Sequence, residues 1–366
     1  MNNSKLKVIV LFGGQSGEHQ VSLNSAKSVL QAINGSFYII QTIGISQEGR
    51  WYWGALPDDM LNKNFPASNS FPLVTLVHDP NEPHFLALDG TQLPDNGKFD
   101  LVFPVLHGPN GEDGTLQGLL ELANVPYVGC GVLGSSLGMD KDRMKAVFAH
   151  AGLPQAKYLT FLRSEYKNSP ESCIQKVEKA LGYPCFVKPA NLGSSVGISK
   201  AHDSAELREA FELASSYDRK IVIEENITGR EIEVSVLGND FPEASLPGEI
   251  LPAKEFYDYE AKYNDTGSRL VIPAELPETL SKQIRQMAIK AFLAVEASGL
   301  SRVDFFVTAD NKPLINEINT LPGFTQISMY PKLWECAGIK YNELIDRLIA
   351  LALERFKDKQ DRRILY

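Results

Sequence analysis

Apolar positions in this chain fall into two patterns, short unbroken runs and longer stretches with apolar residues three or four apart. The first run, Val8-Ile9-Val10-Leu11-Phe12, leads into Gly13-Gly14. It predicts a buried strand over 7–12 and is too short to span a membrane. Leu23, Ala26, Val29, Leu30 and Ile33 then recur at helical spacing, predicting a helix over about 22–33. A second strand is expected over 100–106, ending in His107-Gly108, and a helix over 115–123. Strand, loop and helix repeated in this way suit an open, mainly parallel sheet whose ligand sites form in the loops after the strands. Residues 46–98, rich in Pro, Asn and Asp with short aromatic pieces, read as an insertion to which no function is assigned.

The Gly-rich stretch 126–138 reads as a boundary. After it come a helix over 140–151, stopped by Gly152 and Pro154, and another over 171–181. Strands follow at 185–188 and 196–200, then a helix over 204–216 and a strand over 221–225. The last third predicts a strand over 231–237, a loop-rich stretch over 247–268, a helix over 278–298, a hairpin over 301–319 and a helix over 341–356. The expected class is α/β at the start and α+β afterwards.

At 366 residues the chain has room for two or three packed units, and 43% hydrophobic with 22% charged residues is ordinary for a soluble globular protein. A net charge of −9 without a basic run argues against nucleic acid as partner. A nucleotide is still compatible where a few cations converge and Mg²⁺ screens the phosphates. Cys130, Cys173, Cys185 and Cys336 form no CxxC pair, which suggests free thiols in a reducing cytoplasm. With no signal peptide at its start, the chain is expected to be cytoplasmic.

Chemistry concentrates in the hairpin. If Asp310-Asn311 form a two-residue turn, Asp304 faces Glu317 and Arg302 faces Asn319, all on one side of the sheet. Opposed carboxylates repel, and an oxygen-seeking Mg²⁺ with Asn319 as a further donor removes that cost. Arg302 stands where transferred phosphoryl charge needs a counter-ion. The competing reading is an exposed polar sheet face.

Lys188 ends an apolar strand before Asn191-Leu192-Gly193-Ser194-Ser195, a plausible phosphate grip that lacks the GK[ST] of a Walker loop; a plain Gly-rich turn fits as well. Ile221-Val222-Ile223-Glu224-Glu225 ends in acids that could accept from an adenine amine and ribose hydroxyls, or be an ordinary strand end. Gly13-Gly14-Gln15-Ser16-Gly17-Glu18 lacks dinucleotide spacing, and Glu18 lies where it could pair with a ligand ammonium.

Together these segments resemble the ATP-grasp superfamily and, within it, the D-alanine–D-alanine ligases. The resemblance covers the chain apart from 46–98. It is carried by GGQSGEHQVSLNS (13–25), HGPNGEDGTLQG (107–118), 187–197, FYDYEAKY (256–263) and INEINTLPGFTQISM (315–329). It implies an ATP-grasp fold of three domains: 1–129 with an open parallel sheet, then 130–227 and 228–366, whose antiparallel sheets clamp ATP. It further implies Lys141, Lys188 and Lys262 on the phosphates, Glu224 and Glu231 on adenine and ribose, and Asp304, Glu317 and Asn319 on two Mg²⁺ or Mn²⁺. Glu18 would take the ammonium of the first D-alanine and Ser328 the carboxylate of the second. His107 would lie near both. Arg302 and the Gly323 N–H would hold the oxyanion, and Ser194 and Tyr263 would help close a loop at about 251–267.

The implied reaction makes D-alanyl-D-alanine for peptidoglycan through an acyl phosphate, in a cytoplasmic homodimer. The rivals are a D-alanine–D-lactate or D-serine ligase and a non-catalytic nucleotide-binding protein. Ester-forming relatives usually depart from the Lys-Tyr pair present here at Lys262-Tyr263, and a silent protein should lack the metal ligands or phosphate loop.

Overall fold

The computed structural model describes residues 5–62, 65–66, 70–251 and 269–362. Three main sheets succeed one another along the chain. The first runs in the order Trp51–Trp53, Tyr38–Ile45, Leu6–Gly13, Leu101–Val105. Its central strand is parallel to both neighbours, and Trp51–Trp53 is antiparallel. Val8, Val10 and Phe12 enter one core while Ile9 and Leu11 enter another on the opposite face. Burial on both faces explains the unbroken apolar run. The strand Tyr38–Ile45 is missing from the expectations because Gln41 and Thr42 interrupt its apolar pattern. Part of the stretch read as an insertion is packed into this unit. Trp53, Val74, Leu76, Phe85 and Leu93 share a buried cluster with Ile9 and Leu11.

The second sheet is antiparallel, ordered Tyr158–Leu162, Lys220–Glu225, Cys185–Pro189, Ser199–Ala201. Helices Pro170–Ala180 and Ser204–Tyr217 cover one face, packing Val177, Leu207 and Phe211 against Val187, Ile221 and Ile223. Alternation sends Lys188 and Glu224 to the other face.

The third sheet, also antiparallel, is ordered Arg269–Val271, Gly248–Leu251, Gly229–Gly238, Gly299–Thr308, Pro313–Asn319, with Glu243–Ala244 on the end of Gly229–Gly238. Helix Glu278–Ala294 backs it, burying Ile284, Ala288 and Phe292 against Ile232, Val234, Val303 and Phe305. Met144 and Phe148 of helix Lys141–His150 join the same core. Glu231, Glu233, Arg302 and Asp304 take the opposite parity and leave that core for the cleft side.

Helices Met329–Cys336 and Tyr341–Gln360 return to the first sheet, where Tyr330, Leu344 and Leu348 meet Val8 and Val10. The start and end of the chain therefore share one core. The expected boundary at 126–138 contains a helix, Val132–Met139, which its glycines disguise. They serve close packing: a Cβ on Gly134 would lie 2.8 Å from the Glu296 carbonyl oxygen, and one on Gly138 2.7 Å from Thr320. Among the described residues no helix is long and apolar enough to cross a membrane.

Candidate active site

The hairpin delivers the expected pairs, Arg302 opposite Asn319 and Asp304 opposite Glu317, but by a different route. The turn is not the two-residue one expected at Asp310-Asn311. Thr308 closes it by donating its N–H to the Lys312 carbonyl at 3.1 Å, and Asn311 takes the left-handed conformation with φ 58°. Phe305 consequently pairs with Ile315, one residue out of the expected step, and a bulge restores the register at Glu317. Asn316 is the extra residue. Were Asn316 paired in regular alternation instead of bulged, Glu317 would share the core-facing side of Pro313 and Ile315.

Arg302 grips Asp304 through two bonds, Nε to Oδ1 at 2.8 Å and Nη2 to Oδ2 at 2.7 Å, with Glu233 3.0 Å from Nε on the other side. Asn319 donates Nδ2 to Asp304 Oδ2 at 3.0 Å. Burial disfavours the guanidinium charge, but Asp304 and Glu233 outweigh it and hold Arg302 charged far beyond its ordinary range.

On the second sheet, Lys188 donates to Glu224 Oε2 at 3.0 Å, and Lys145 lies 3.3 Å from Glu224 Oε1. Burial pushes the Glu224 carboxyl up, yet the two lysines draw it down to about 2. Lys141, one helical turn before Lys145, donates to the Leu192 carbonyl at 2.5 Å and lines the cleft with Glu112, Ser194, Glu317 and Asn319.

Glu18 directly precedes helix His19–Ala32, which starts three residues earlier than the periodicity predicts. Its carboxylate accepts from the Ser194 hydroxyl and lies beside Gly108 and Gly193, where any side chain would strike it. His107 is buried behind. Its Nδ1 donates to the Leu321 carbonyl at 3.0 Å, and its Nε2 meets Ser25 Oγ, also at 3.0 Å. Glu112 stands 3.5 Å from His107 Nδ1 and accepts the Gly108 N–H at 2.9 Å. Burial alone would lower the His107 pKa; Glu112 and Glu18 reverse that and raise it. Burial raises Glu112, and Glu18 adds to the rise. Ser328 Oγ accepts from the Thr325 N–H at 3.1 Å, with Gly323 beside it.

Lys141, Ser194, Glu317 and Asn319 thus line one cleft. Glu18 joins it through Ser194, Arg302 and Asp304 through Asn319, and His107 through Glu112. Lys188 and Glu224 connect through Lys145, one helical turn from Lys141. Glu231 lies two positions before Glu233 on the same sheet face. Lys262, Tyr263 and the rest of the expected loop from residue 252 onward lie outside the described residues, while Leu251 ends a strand. Sequence reasoning missed Lys145, Glu112, Glu233 and Ser25. Two had readable signals, since Lys145 is one helical turn from Lys141 and Glu233 has the parity of Glu231. Ser25 had none, its role arising only when Phe324, 299 positions away, donates its N–H to it at 3.3 Å.

The hairpin fits a hard divalent cation in its donor chemistry, two carboxylates and an amide from facing strands. Among the described residues no three His, Cys, Asp or Glu gather as a metal cluster. Such a shell leaves coordination positions for phosphate oxygens and water, as expected of Mg²⁺.

Comparison with known proteins agrees with this geometry. Residues 7–130 match the family model D-ala D-ala ligase N-terminus, and residues 147–350 match D-ala D-ala ligase C-terminus. A D-alanine–D-alanine ligase of Bacillus velezensis is 54% identical over 355 residues, covering 96% of this chain and 98% of its own. One from Heliobacterium modesticaldum is 54% identical over 358 residues, covering 97% of each. Among solved structures, the D-alanine–D-alanine ligase of Coxiella burnetii superposes with a TM-score of 0.83 at 39% identity, covering 97% of each chain. The VanG D-Ala:D-Ser ligase of Enterococcus faecalis gives 0.85 at 39% identity, covering 95% of this chain and 100% of its own. The chain belongs to the D-alanine–D-alanine ligase family.

Proposed function

We propose that this protein joins two D-alanines into D-alanyl-D-alanine for peptidoglycan, activating the first carboxylate with ATP as an acyl phosphate and releasing ADP and phosphate. The observation that carries this is a convergence. Glu18 from the first unit, Ser194 from the second and the Asp304–Glu317 hairpin from the third meet at one cleft.

A carboxylate is a poor electrophile until one of its oxygens has taken the γ-phosphoryl group of ATP. Glu18 holds the ammonium of the first D-alanine, and Ser194 fixes the orientation of Glu18. Lys141, Lys188 and Lys262 take the phosphates, and Glu224 and Glu231 take adenine and ribose. Asp304, Glu317 and Asn319 would hold two Mg²⁺, or Mn²⁺ in their place. These ions supply charge compensation on the transferring phosphoryl group. Ser328 receives the carboxylate of the second D-alanine, whose amine, once deprotonated, adds to the acyl carbon. Arg302 and the Gly323 N–H stabilise the resulting oxyanion. His107 orders the substrate side of the cleft, and Tyr263 acts with Ser194. The same reading places the protein in the cytoplasm as a homodimer.

The similarity to a D-Ala:D-Ser ligase structure favours D-serine as a second acceptor to be tested. Phosphate release from ATP and Mg²⁺ should require D-alanine, fail with L-alanine, and accompany a product with the mass of D-alanyl-D-alanine. Adding D-serine or D-lactate tests the acceptor. ATP turnover without the dipeptide would overturn the substrate assignment.

A further inference from the structure

Lys145 has no part in the reaction as assigned, yet its ammonium is buried, with the residue 1% exposed on helix Lys141–His150. It lies 3.3 Å from Glu224 Oε1 and 5.6 Å from the centre of the Tyr158 ring. The other Glu224 oxygen accepts from Lys188 at 3.0 Å. One buried carboxylate therefore holds two buried cations.

Only one of these cations has somewhere to go. Lys188 sits on strand Cys185–Pro189 just before the Gly/Ser loop, and Lys141 and the loop residue Ser194 both line the cleft. Lys145 is fixed on a helix whose Met144 and Phe148 are locked into the third sheet's core. Without Lys145, movement of Lys188 to a nucleotide phosphate would leave Glu224 a lone buried charge, a heavily disfavoured state. We infer that Lys145 is a positioning residue: it keeps Glu224 neutralised and so frees Lys188 to bind the nucleotide phosphates. This rests on the reading of Lys188 as a phosphate ligand. The low Glu224 pKa is consistent with a carboxylate that stays ionised throughout.

The test is a double-mutant cycle on the full chain, reading ADP affinity in Mg²⁺ buffer by calorimetry and Tm alongside. Lys145→Met should weaken ADP binding about tenfold or more, because Lys188 is then retained by Glu224. In a Glu224→Gln background the same substitution should change affinity by less than about threefold, since no carboxylate charge is left to retain Lys188. Equal losses in both backgrounds would mean that Lys145 touches the nucleotide itself, and would overturn the inference. So would a lowered Tm with unchanged ADP affinity, the mark of a merely structural role. Should Lys145→Met fail to fold, the double variant must fold and bind ADP like Glu224→Gln alone; its failure overturns the inference too. Absence of ADP binding by the unaltered chain would instead refute the Lys188 reading and the inference with it.

Discussion

Asp304 and Glu317 stand opposite each other on adjacent strands because Asn316 is bulged out of the ladder between Ile315 and Glu317. Two carboxylates held this way gain from a shared cation and lose without one. Asp304→Ala and Glu317→Ala should each lower turnover by at least about 10²-fold, the scale of losing a preorganised electrostatic group. Phosphate release with ATP, Mg²⁺ and D-alanine measures this. Near-normal turnover in either variant removes the hairpin from the chemistry.

Deleting Asn316 tests the bulge itself. Removing it leaves Glu317 directly after Ile315, where strict alternation still points it to the cleft face opposite Asp304. The deletion should therefore retain most of the turnover, as should Asn316→Ala, which keeps the bulge. Loss of turnover on deletion but not in Asn316→Ala would mean that Glu317 depends on the bulge for more than its side of the sheet.

The same hairpin shows how far the sequence could be read. Its cross-strand pairs were legible from alternation, yet the assumed turn was wrong by one residue and the bulge compensated by one. The clue was Asn316, which an unbulged ladder would have paired with Phe305 and sent into an apolar core. Helix Val132–Met139 was hidden for a different reason, since Gly134 and Gly138 are poor helix formers kept for close packing. Within the site, residues on one strand or one loop were readable. Ser25 and Glu112 were not, because their partners come from tertiary packing that a linear pattern does not encode.

The Ser194 hydroxyl donates to the Glu18 carboxylate, joining two loops 176 positions apart. A hydrogen bond to a charged group contributes roughly 1.5–3 kcal/mol. Ser194→Ala should therefore raise the KM for the first D-alanine about tenfold or more, with ADP affinity little changed. An unchanged KM would detach Ser194 from Glu18's function.

His107 is charged more readily than an ordinary histidine because Glu112 and Glu18 overcome the effect of burial. Glu112→Gln removes the nearer acid, so burial should prevail and the His107 pKa should fall. Histidine ring NMR through a pH titration reads this directly. In the unaltered protein the raised pKa stabilises the fold fully below about pH 6.5, and this contribution fades as pH rises through the folded-state value. The variant should lose that dependence. An unshifted His107 resonance would mean that Glu112 is not its partner.

Glu224 gives the opposite dependence. Its pKa in the folded chain, about 2, lies below the usual carboxyl value of 4.5 because Lys145 and Lys188 flank it, despite burial. Its contribution to stability is present above about pH 4.5 and is lost as pH falls toward 2, where the carboxyl takes up a proton. Urea unfolding between pH 2 and 5 should therefore show a shallower loss of stability with acid for Glu224→Gln than for the unaltered chain. At neutral pH Glu224→Gln should also be the less stable of the two, because its two lysines are left buried without a counter-charge. Parallel stability curves for the two proteins across that range would mean that the three charges are not coupled as the distances indicate.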